Sequence, residues 1–223
     1  MIEIKLQGDY ALFTRPEFKA ERVTYEVLTP SAAQGILEAI FWKPEFWWQI
    51  HSIAVLRPIK RISILRNEIK SRQSMRAAKG WNPSHRYAIA NDRTQRHSLC
   101  LRDVGYIVQA TAKTRPHADK PSPAYEAQFN RRLQRGRCFH QPYFGCREFS
   151  AHFSPPDGSE IPINETQDFG LMLHHIDFVP HKQGEMQFWQ QRDRNGRKLV
   201  KGRAVARFFR AHMEQGAIDC SLN

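Results

Sequence analysis

The stretch TPSAAQGILEAIFWKP, Thr29–Pro44, contains the start, the apolar face and the end of one predicted helix. Thr29 is a preferred N-cap type, and Pro30 suits the first helical position, where a missing N–H costs nothing. The apolar residues at helical spacing are Ala33, Ile36, Leu37, Ile40 and Phe41. Because the residue before a proline avoids the helical region, Lys43-Pro44 predicts the end of the helix.

Segments with strand alternation lie on both sides of this helix. They are residues 2–13, 47–66, 86–90 and 97–113. Ser122-Pro123 predicts the start of a second helix, with Tyr125 and Phe129 on its apolar face. The order β–α–β–β–β–α is typical of a ferredoxin-like (RRM-like) fold, a common RNA-binding platform. We therefore predict an α+β protein whose ferredoxin-like N-terminal domain spans residues 1–137.

The remaining residues have the pattern of antiparallel β-structure. Asn195-Gly196, between two short alternating segments, is a strong hairpin-turn signal. His174 and His175 are neighbours on a predicted strand, so we expect their side chains to point to opposite faces. The residues from His212 onward are expected to be loose. We predict a small antiparallel β-sheet domain over residues 138–223.

Length and composition exclude several classes of protein. The chain has 223 residues, 41% of them hydrophobic, which suffices for one large domain or two small ones. The longest apolar run is far shorter than the ~20 residues of a membrane span, and Met1–Lys5 lacks the pattern of a signal peptide. Four cysteines in this length do not make a disulfide scaffold. We expect a soluble, cytoplasmic protein without contact to a membrane.

Positive charge is concentrated in two stretches. The net charge is +12 and the pI about 9.9, values typical of a nucleic-acid-binding protein. Residues 57–115 contain 14 Lys and Arg against three acidic residues, and residues 192–210 contain eight against one. Clustered cations suit a phosphate backbone, because counterion release rewards several contacts along one track. The alternative is two solvated faces without a ligand.

The sequence contains none of the phosphate-binding, dinucleotide-binding or serine-hydrolase motifs GxxxxGK[ST], GxGxxG and GxSxG. Cys138, His140 and Cys146 lack the usual spacing of a zinc site, so we predict neither a metal nor a cofactor. Cleavage of RNA without metal uses the 2′-OH of the substrate, a base, a cation and an acid. His117, Lys120 and Tyr125 are candidates for these roles. The alternatives are two solvated loop residues and, for Tyr125, a core contact.

Several segments together resemble one known family. They are GDYALFTRPE (8–17), TPSAA (29–33), FWKP (41–44), VLRPI (55–59), RNE (66–68) and CFHQPYFGCREF (138–149). These segments are similar to the type I-C CRISPR-associated family usually called Cas-five-d. The resemblance implies a ferredoxin-like domain followed by a smaller β-sheet domain. It also implies metal-independent cleavage of precursor CRISPR RNA within each repeat, in antiviral defence. The protein then stays on the 5′ handle of the mature guide RNA, beside the other subunits of the interference complex.

The catalytic residues of the family do not all transfer to this sequence. Cleaving members carry a tyrosine on the first helix, at the position of Phe41, which has no hydroxyl. They also carry Lys-His just before the second helix, where this chain has Ala124 and Tyr125. His117 and Lys120 can fill these roles if their loop folds back.

Two further functions compete with the ribonuclease. One is a non-catalytic subunit that grips the guide RNA, and the other is a general basic nucleic-acid-binding protein. Non-specific binding of double-stranded DNA is also expected from the charge. The residues predicted to bind RNA are Arg57, Lys60, Arg66, Arg76, Lys79, Trp81, Arg131, Arg132 and Arg135.

Overall fold

The computed structural model describes residues 1–18, 21–71, 74, 78–80, 87–191 and 196–221. Its strands are β1 (Ile2–Ala11), β2 (Arg22–Val23), β3 (Phe46–Val55), β4 (Lys60–Ile69), β5 (Arg93–Thr114), β6 (His152–Ser154), β7 (Gln167–Pro180), β8 (Met186–Gln191), β9 (Arg197–Glu214) and β10 (Ala217–Asp219). The helices are α1 (Pro30–Ile40) and α2 (Ser122–Gln134), and Ile89–Asp92 form a short 3-10 helix. Arg76, Trp81 and Asn195, which carried predictions, lie outside the described residues.

The long strand β5 organises the sheet. Its 22 residues pair in antiparallel fashion with β1, β3 and β4, and in parallel with the short β2. The main path through the sheet is β6-β1-β5-β3-β10-β9-β7, and β8 pairs with β9. The described chain is thus a mostly antiparallel sheet with few helices, which confirms the predicted α+β class.

Both helices begin where the sequence predicts. The hydroxyl oxygen of Thr29 accepts a hydrogen bond from the Ala32 N–H (3.2 Å), which caps α1. Phe41 leaves the helical region, although its N–H still donates to the Leu37 carbonyl (2.9 Å). The apolar residues of α2 that face the core are Tyr125, Phe129 and Leu133.

Loss of the Thr29 cap gives a modest and measurable destabilisation. We expect Thr29→Ala to lower the free energy of unfolding by about 1 kcal/mol, because the partly buried N–H of Ala32 at the start of α1 loses its partner. Thr29→Ser keeps the hydroxyl and should lose clearly less. Urea unfolding measures both variants, and equal losses would contradict the cap assignment.

Four local predictions are wrong. Residues 47–66 form two strands rather than one, because Pro58 interrupts the alternation between β3 and β4. Residues 86–90 form no strand in their described part, where the 3-10 helix begins. Of the strand predicted over residues 147–153, only residues 152 and 153 lie in a strand, as part of β6. Residues 212–221 are ordered rather than loose, because they complete β9 and form β10, where Ile218 is buried.

One hydrophobic core combines residues from both halves of the chain. It contains Ile4 and Trp48 from the first half together with Met213 and Ile218 from the second. The strand β10 lies between β3 and β9 and joins the two regions in one sheet. The division at residues 137 and 138 stays a prediction. Among the described residues, no helix has the length and apolar character needed to cross a membrane.

Candidate nucleic-acid interface and catalytic residues

Two loops meet beside the C-terminal end of α1. One, residues 41–45, joins α1 to β3, and the other, residues 115–121, joins β5 to α2. The Arg115 N–H donates to the Glu45 carbonyl (2.8 Å), and His117 Nε2 lies 3.1 Å from the carbonyl oxygen of Pro44. These two contacts hold the half-buried His117 in a defined orientation.

The Pro44 contact decides which nitrogen of His117 can take up a proton. A carbonyl oxygen only accepts hydrogen bonds, so Nε2 carries the proton in the neutral ring. The lone pair is then on Nδ1. A neutral imidazole oriented in this way is suited to act as a general base.

The structure separates the three catalytic candidates. Lys120 is exposed on the same loop as His117 and forms no ion pair with any described residue. Tyr125 is only 2% exposed, and its ring stacks on Phe46 with 4.8 Å between centroids. This packing favours the core-contact alternative for Tyr125. His117 and Lys120 remain as the accessible pair.

Phe41, which the resemblance in sequence places at the position of the family's tyrosine, is also buried. The Arg132 guanidinium carbon lies 5.1 Å from the centre of the Phe41 ring, and Arg132 Nη1 donates to the Ile40 carbonyl (2.8 Å). A cation at the carbonyl end of a helix satisfies groups that have no partner within the helix. Arg132 therefore stabilises the end of α1 as well as being a candidate for RNA binding.

The other predicted RNA-binding residues differ in their partners. Arg57 and Lys60 share the carboxylate of Asp103, at 3.1 and 3.2 Å. Arg66 pairs with Glu148 (2.6 Å) and contacts Cys146 Sγ (3.4 Å), so it links β4 to the segment 138–149. Arg131 in the last turn of α2 and Arg135 directly after the helix are both exposed, and neither forms an ion pair with any described residue.

A comparison with known proteins identifies the family. The sequence model of the CRISPR-associated protein Cas5 family, in its Cas5d form, matches residues 1–221. The chain belongs to the Cas5d family. The resemblance recognised in the sequence is thereby confirmed over almost the whole chain.

Two curated relatives match this Cas5d chain over nearly its full length. A protein of Thermus thermophilus named CRISPR pre-crRNA endoribonuclease Cas5d is 46% identical and matches over 98% of this chain and 90% of its own. A protein of the same name from Mannheimia succiniciproducens is 38% identical, over 98% and 93%. A crystal structure of a CRISPR-associated protein has the same fold, with a TM-score of 0.63 and 19% identity over 99% of this chain and 91% of that one.

Two exposed rings on the Cas5d chain escaped the sequence analysis. Trp42 and Phe139 are 53% and 82% exposed. The N–H groups of Phe139 and His140 both donate to the Ala39 carbonyl, which places Phe139 at the end of α1. Exposed rings beside cations are what single-stranded RNA binds. The sequence did contain a signal for an exposed ring, because Trp42 follows the predicted helix end and lies next to Lys43.

Arg131 and Arg135, at the end of α2, provide a test of the interface. We expect the double variant Arg131→Ala/Arg135→Ala to weaken binding of single-stranded RNA. The slope of log K against log salt should fall by about 1.4, because each phosphate contact contributes ~0.7. Fluorescence anisotropy at several salt concentrations measures both quantities.

The matched control removes two arginines that are already neutralised. Arg22 and Arg210 pair with Glu68 (3.0 Å) and Asp168 (2.6 Å), respectively. The variant Arg22→Ala/Arg210→Ala loses the same formal charge, and its slope should stay near the wild-type value. An equal reduction of the slope in both double variants would show a general charge effect and contradict the interface.

The prediction for the histidine pair on β7 is wrong. The register of β7 against β9 shifts between Leu173 and His175, so the alternation of faces breaks there. The Nδ1 atoms of His174 and His175 consequently lie 2.7 Å apart. No group of three or more His, Cys, Asp or Glu residues in the described ranges is arranged to hold a metal ion.

Proposed function

We propose that this chain cleaves precursor CRISPR RNA within its repeats without a metal ion and then stays on the 5′ handle. It would do so in the cytoplasm, as a subunit of a type I-C interference complex. Membership of the Cas5d family and the names of the two curated relatives support this function. The structural observation that carries it is His117, held by Pro44 with Nδ1 available, on a loop shared with Lys120.

The proposed mechanism uses only this chain and the RNA. His117 Nδ1 takes the proton of the 2′-OH, and the 2′ oxygen attacks the adjacent phosphorus. The Lys120 ammonium stabilises the negative charge that develops on the phosphorane. The bond to the 5′ oxygen then breaks, and that oxygen takes a proton from water. The His117 imidazolium returns its proton to water, and a 2′,3′-cyclic phosphate remains on the upstream fragment.

A second function, a guide-RNA-binding subunit that does not cleave, is favoured by one specific observation. Phe41 has no hydroxyl, and Tyr125, the nearby sequence candidate, is packed against Phe46. Neither residue then supplies the phenol found in cleaving members. Salt-sensitive binding of double-stranded DNA is compatible with both functions, because it requires only the net charge.

We also propose that β1, α1, β3, β5, α2 and β6 form a ferredoxin-like unit. Support comes from the strand order β6-β1-β5-β3, in which every neighbouring pair is antiparallel. This order corresponds to the βαββαβ arrangement of that fold. A unit defined in this way extends to β6, beyond the predicted boundary at residue 137.

The deciding experiment is cleavage of the cognate repeat RNA by the purified protein in excess EDTA. We expect one cut, a 2′,3′-cyclic phosphate on the upstream product, and no cut when the nucleotide at that site is 2′-deoxy. Activity that disappears in EDTA and returns with a divalent ion would overturn the metal-independent mechanism. Tight binding without any cut would favour the non-catalytic subunit.

A further inference from the structure

A cavity of about 650 Å³ lies between α1, β3 and β7. Its walls include Glu38 of α1, Trp47 of β3, Lys113 and Arg115 near the end of β5, and His175 of β7. Of the ten residues of β3, only Ser52–Ala54 pair with β10. No described strand therefore covers the edge of β3 beside the cavity. The volume lies within the ~300–1,000 Å³ range of small-ligand sites.

The two basic side chains of this cavity are available, whereas one of its two carboxylates, Asp177, is already paired. Lys113 and Arg115 are exposed and form no ion pair with described residues. The carboxylate of Asp177 is paired with Arg207 (2.7 Å) and with His175 (3.2 Å). Burial raises the pKa of the Glu38 carboxyl, which also accepts a hydrogen bond from Gln34 (2.8 Å). The cavity is thus suited to an anion.

The two neighbouring histidines of β7 contact each other at the wall of the cavity. His174 Nε2 lies 2.8 Å from the Cys220 carbonyl and must donate to it, which leaves the His174 Nδ1 lone pair as an acceptor. His175 Nδ1, 2.7 Å away, is then the donor. His175 Nε2 faces the Asp177 carboxylate, which also only accepts. Burial lowers the pKa of His174, in agreement with its neutral state.

An aromatic surface stands beside these cations. Trp47 is 40% exposed, and the guanidinium carbon of Arg115 lies 5.6 Å from its ring centre. Trp47 is also the direct cross-strand partner of Lys113. A ring for stacking next to cations for phosphate is the combination that binds single-stranded RNA.

We propose that this cavity binds one nucleotide of the RNA next to the cleaved bond, with its base on Trp47 and its phosphate on Lys113 and Arg115. The inference rests on the proposed function. Arg115 precedes His117 by two residues, and its N–H is bonded to Glu45, the neighbour of the Pro44 carbonyl that orients His117. A nucleotide held by Arg115 would thereby place the following phosphate near His117.

The test asks whether the contribution of one RNA base to binding depends on the Trp47 ring. A series of repeat RNAs, made uncleavable by one 2′-deoxy nucleotide, carries an abasic site at successive positions. At one position beside the 2′-deoxy nucleotide, we expect the abasic site to weaken binding to the wild-type protein. The expected loss of affinity is roughly tenfold, which is typical for the loss of one base stacked on an aromatic ring. The same abasic site should leave the RNA affinity of the Trp47→Ala variant unchanged. Trp47→Phe, which keeps a ring, should restore the penalty.

A matched control exists on the β8–β9 hairpin. There Arg197 lies 4.7 Å from the ring centre of Trp189, which is 58% exposed. Trp189→Ala should leave the wild-type pattern of abasic penalties beside the 2′-deoxy nucleotide unchanged. The proposal is overturned if Trp47→Ala retains every penalty, as it would if the open edge of β3 binds a protein strand. Loss of the same penalty in Trp189→Ala also overturns it.

Cleavage of the unmodified repeat is measured in parallel and separates the two proposals. If one abasic penalty depends on Trp47 but the RNA is not cleaved, the proposed ribonuclease activity is contradicted and nucleotide binding in the cavity is supported. If the RNA is cleaved but no abasic penalty depends on Trp47, nucleotide binding in the cavity is contradicted and the ribonuclease activity is supported. Absence of any RNA binding overturns both.

Discussion

Replacement of His117 by alanine is expected to abolish most of the cleavage of repeat RNA while leaving RNA binding intact. The variant loses the group that takes the 2′-OH proton, and the loss of a general base typically lowers a rate roughly 100- to 10,000-fold. Single-turnover cleavage with protein in excess gives the rate of the chemical step. Binding of the 2′-deoxy RNA, measured in the same buffer, should change less than about threefold, because one half-buried side chain contributes little phosphate contact.

Two further variants separate the base from a merely structural role. His117→Gln keeps an N–H that can donate to the Pro44 carbonyl but has no basic nitrogen, so its cleavage rate should be as low as that of His117→Ala. His181→Ala removes an exposed histidine near the end of β7 and should cleave at the wild-type rate. Wild-type cleavage by His117→Gln would show that the residue only holds the loop.

Gly145→Ala is expected to give the largest loss of stability. Gly145 has φ +82°, a conformation that side chains rarely adopt, and an added Cβ would lie 1.9 Å from the Leu12 carbonyl oxygen. The obstacle is backbone, and the Leu12 N–H is bonded to the neighbouring Phe144 carbonyl (3.0 Å), so neither segment can move away freely. We expect a loss of about 3 kcal/mol or more in the free energy of unfolding. This corresponds to a fall of about 6 °C or more in Tm for a chain of this size.

Gly136, after α2, provides the matched control. Its φ is +60°, but an added Cβ would meet nothing within 4 Å. Gly136→Ala therefore has only the backbone cost, about 1 kcal/mol. Differential scanning calorimetry compares the two variants. Equal falls in Tm would mean that the close approach to Leu12 does not determine the stability of this region.

The helices could be predicted from the sequence because their signals are local. Thr29 and Pro30 mark the start of α1 within two residues, and the spacing of Tyr125, Phe129 and Leu133 marks the buried face of α2. The strand β10 could not be predicted, because three residues are too few for an alternating pattern. Its place is decided by partners in β3 and β9, and the β3 partners are distant in sequence.

The candidate site could be predicted only where sequence neighbours stay together in space. His117 and Lys120 share one loop, as their spacing suggests. The role of Arg66 depends on Glu148, which lies 82 positions later and which charge counting cannot pair with it. The contact between His174 and His175 depends on a shift of register in β7, which a strictly alternating strand does not contain.

The late position of β10 in the chain affects folding during synthesis. The ribosome releases β3 long before β10, so the edge of β3 at Ser52–Ala54 is bare while most of the polypeptide is made. Bare edges are templates for strands of other chains, and domains generally fold from the N-terminal side during translation. Nascent chains that stop before Ala217 therefore expose Ile53, which is otherwise buried, at an open edge. Such chains are the species that chaperones must hold and that aggregate when chaperones are scarce.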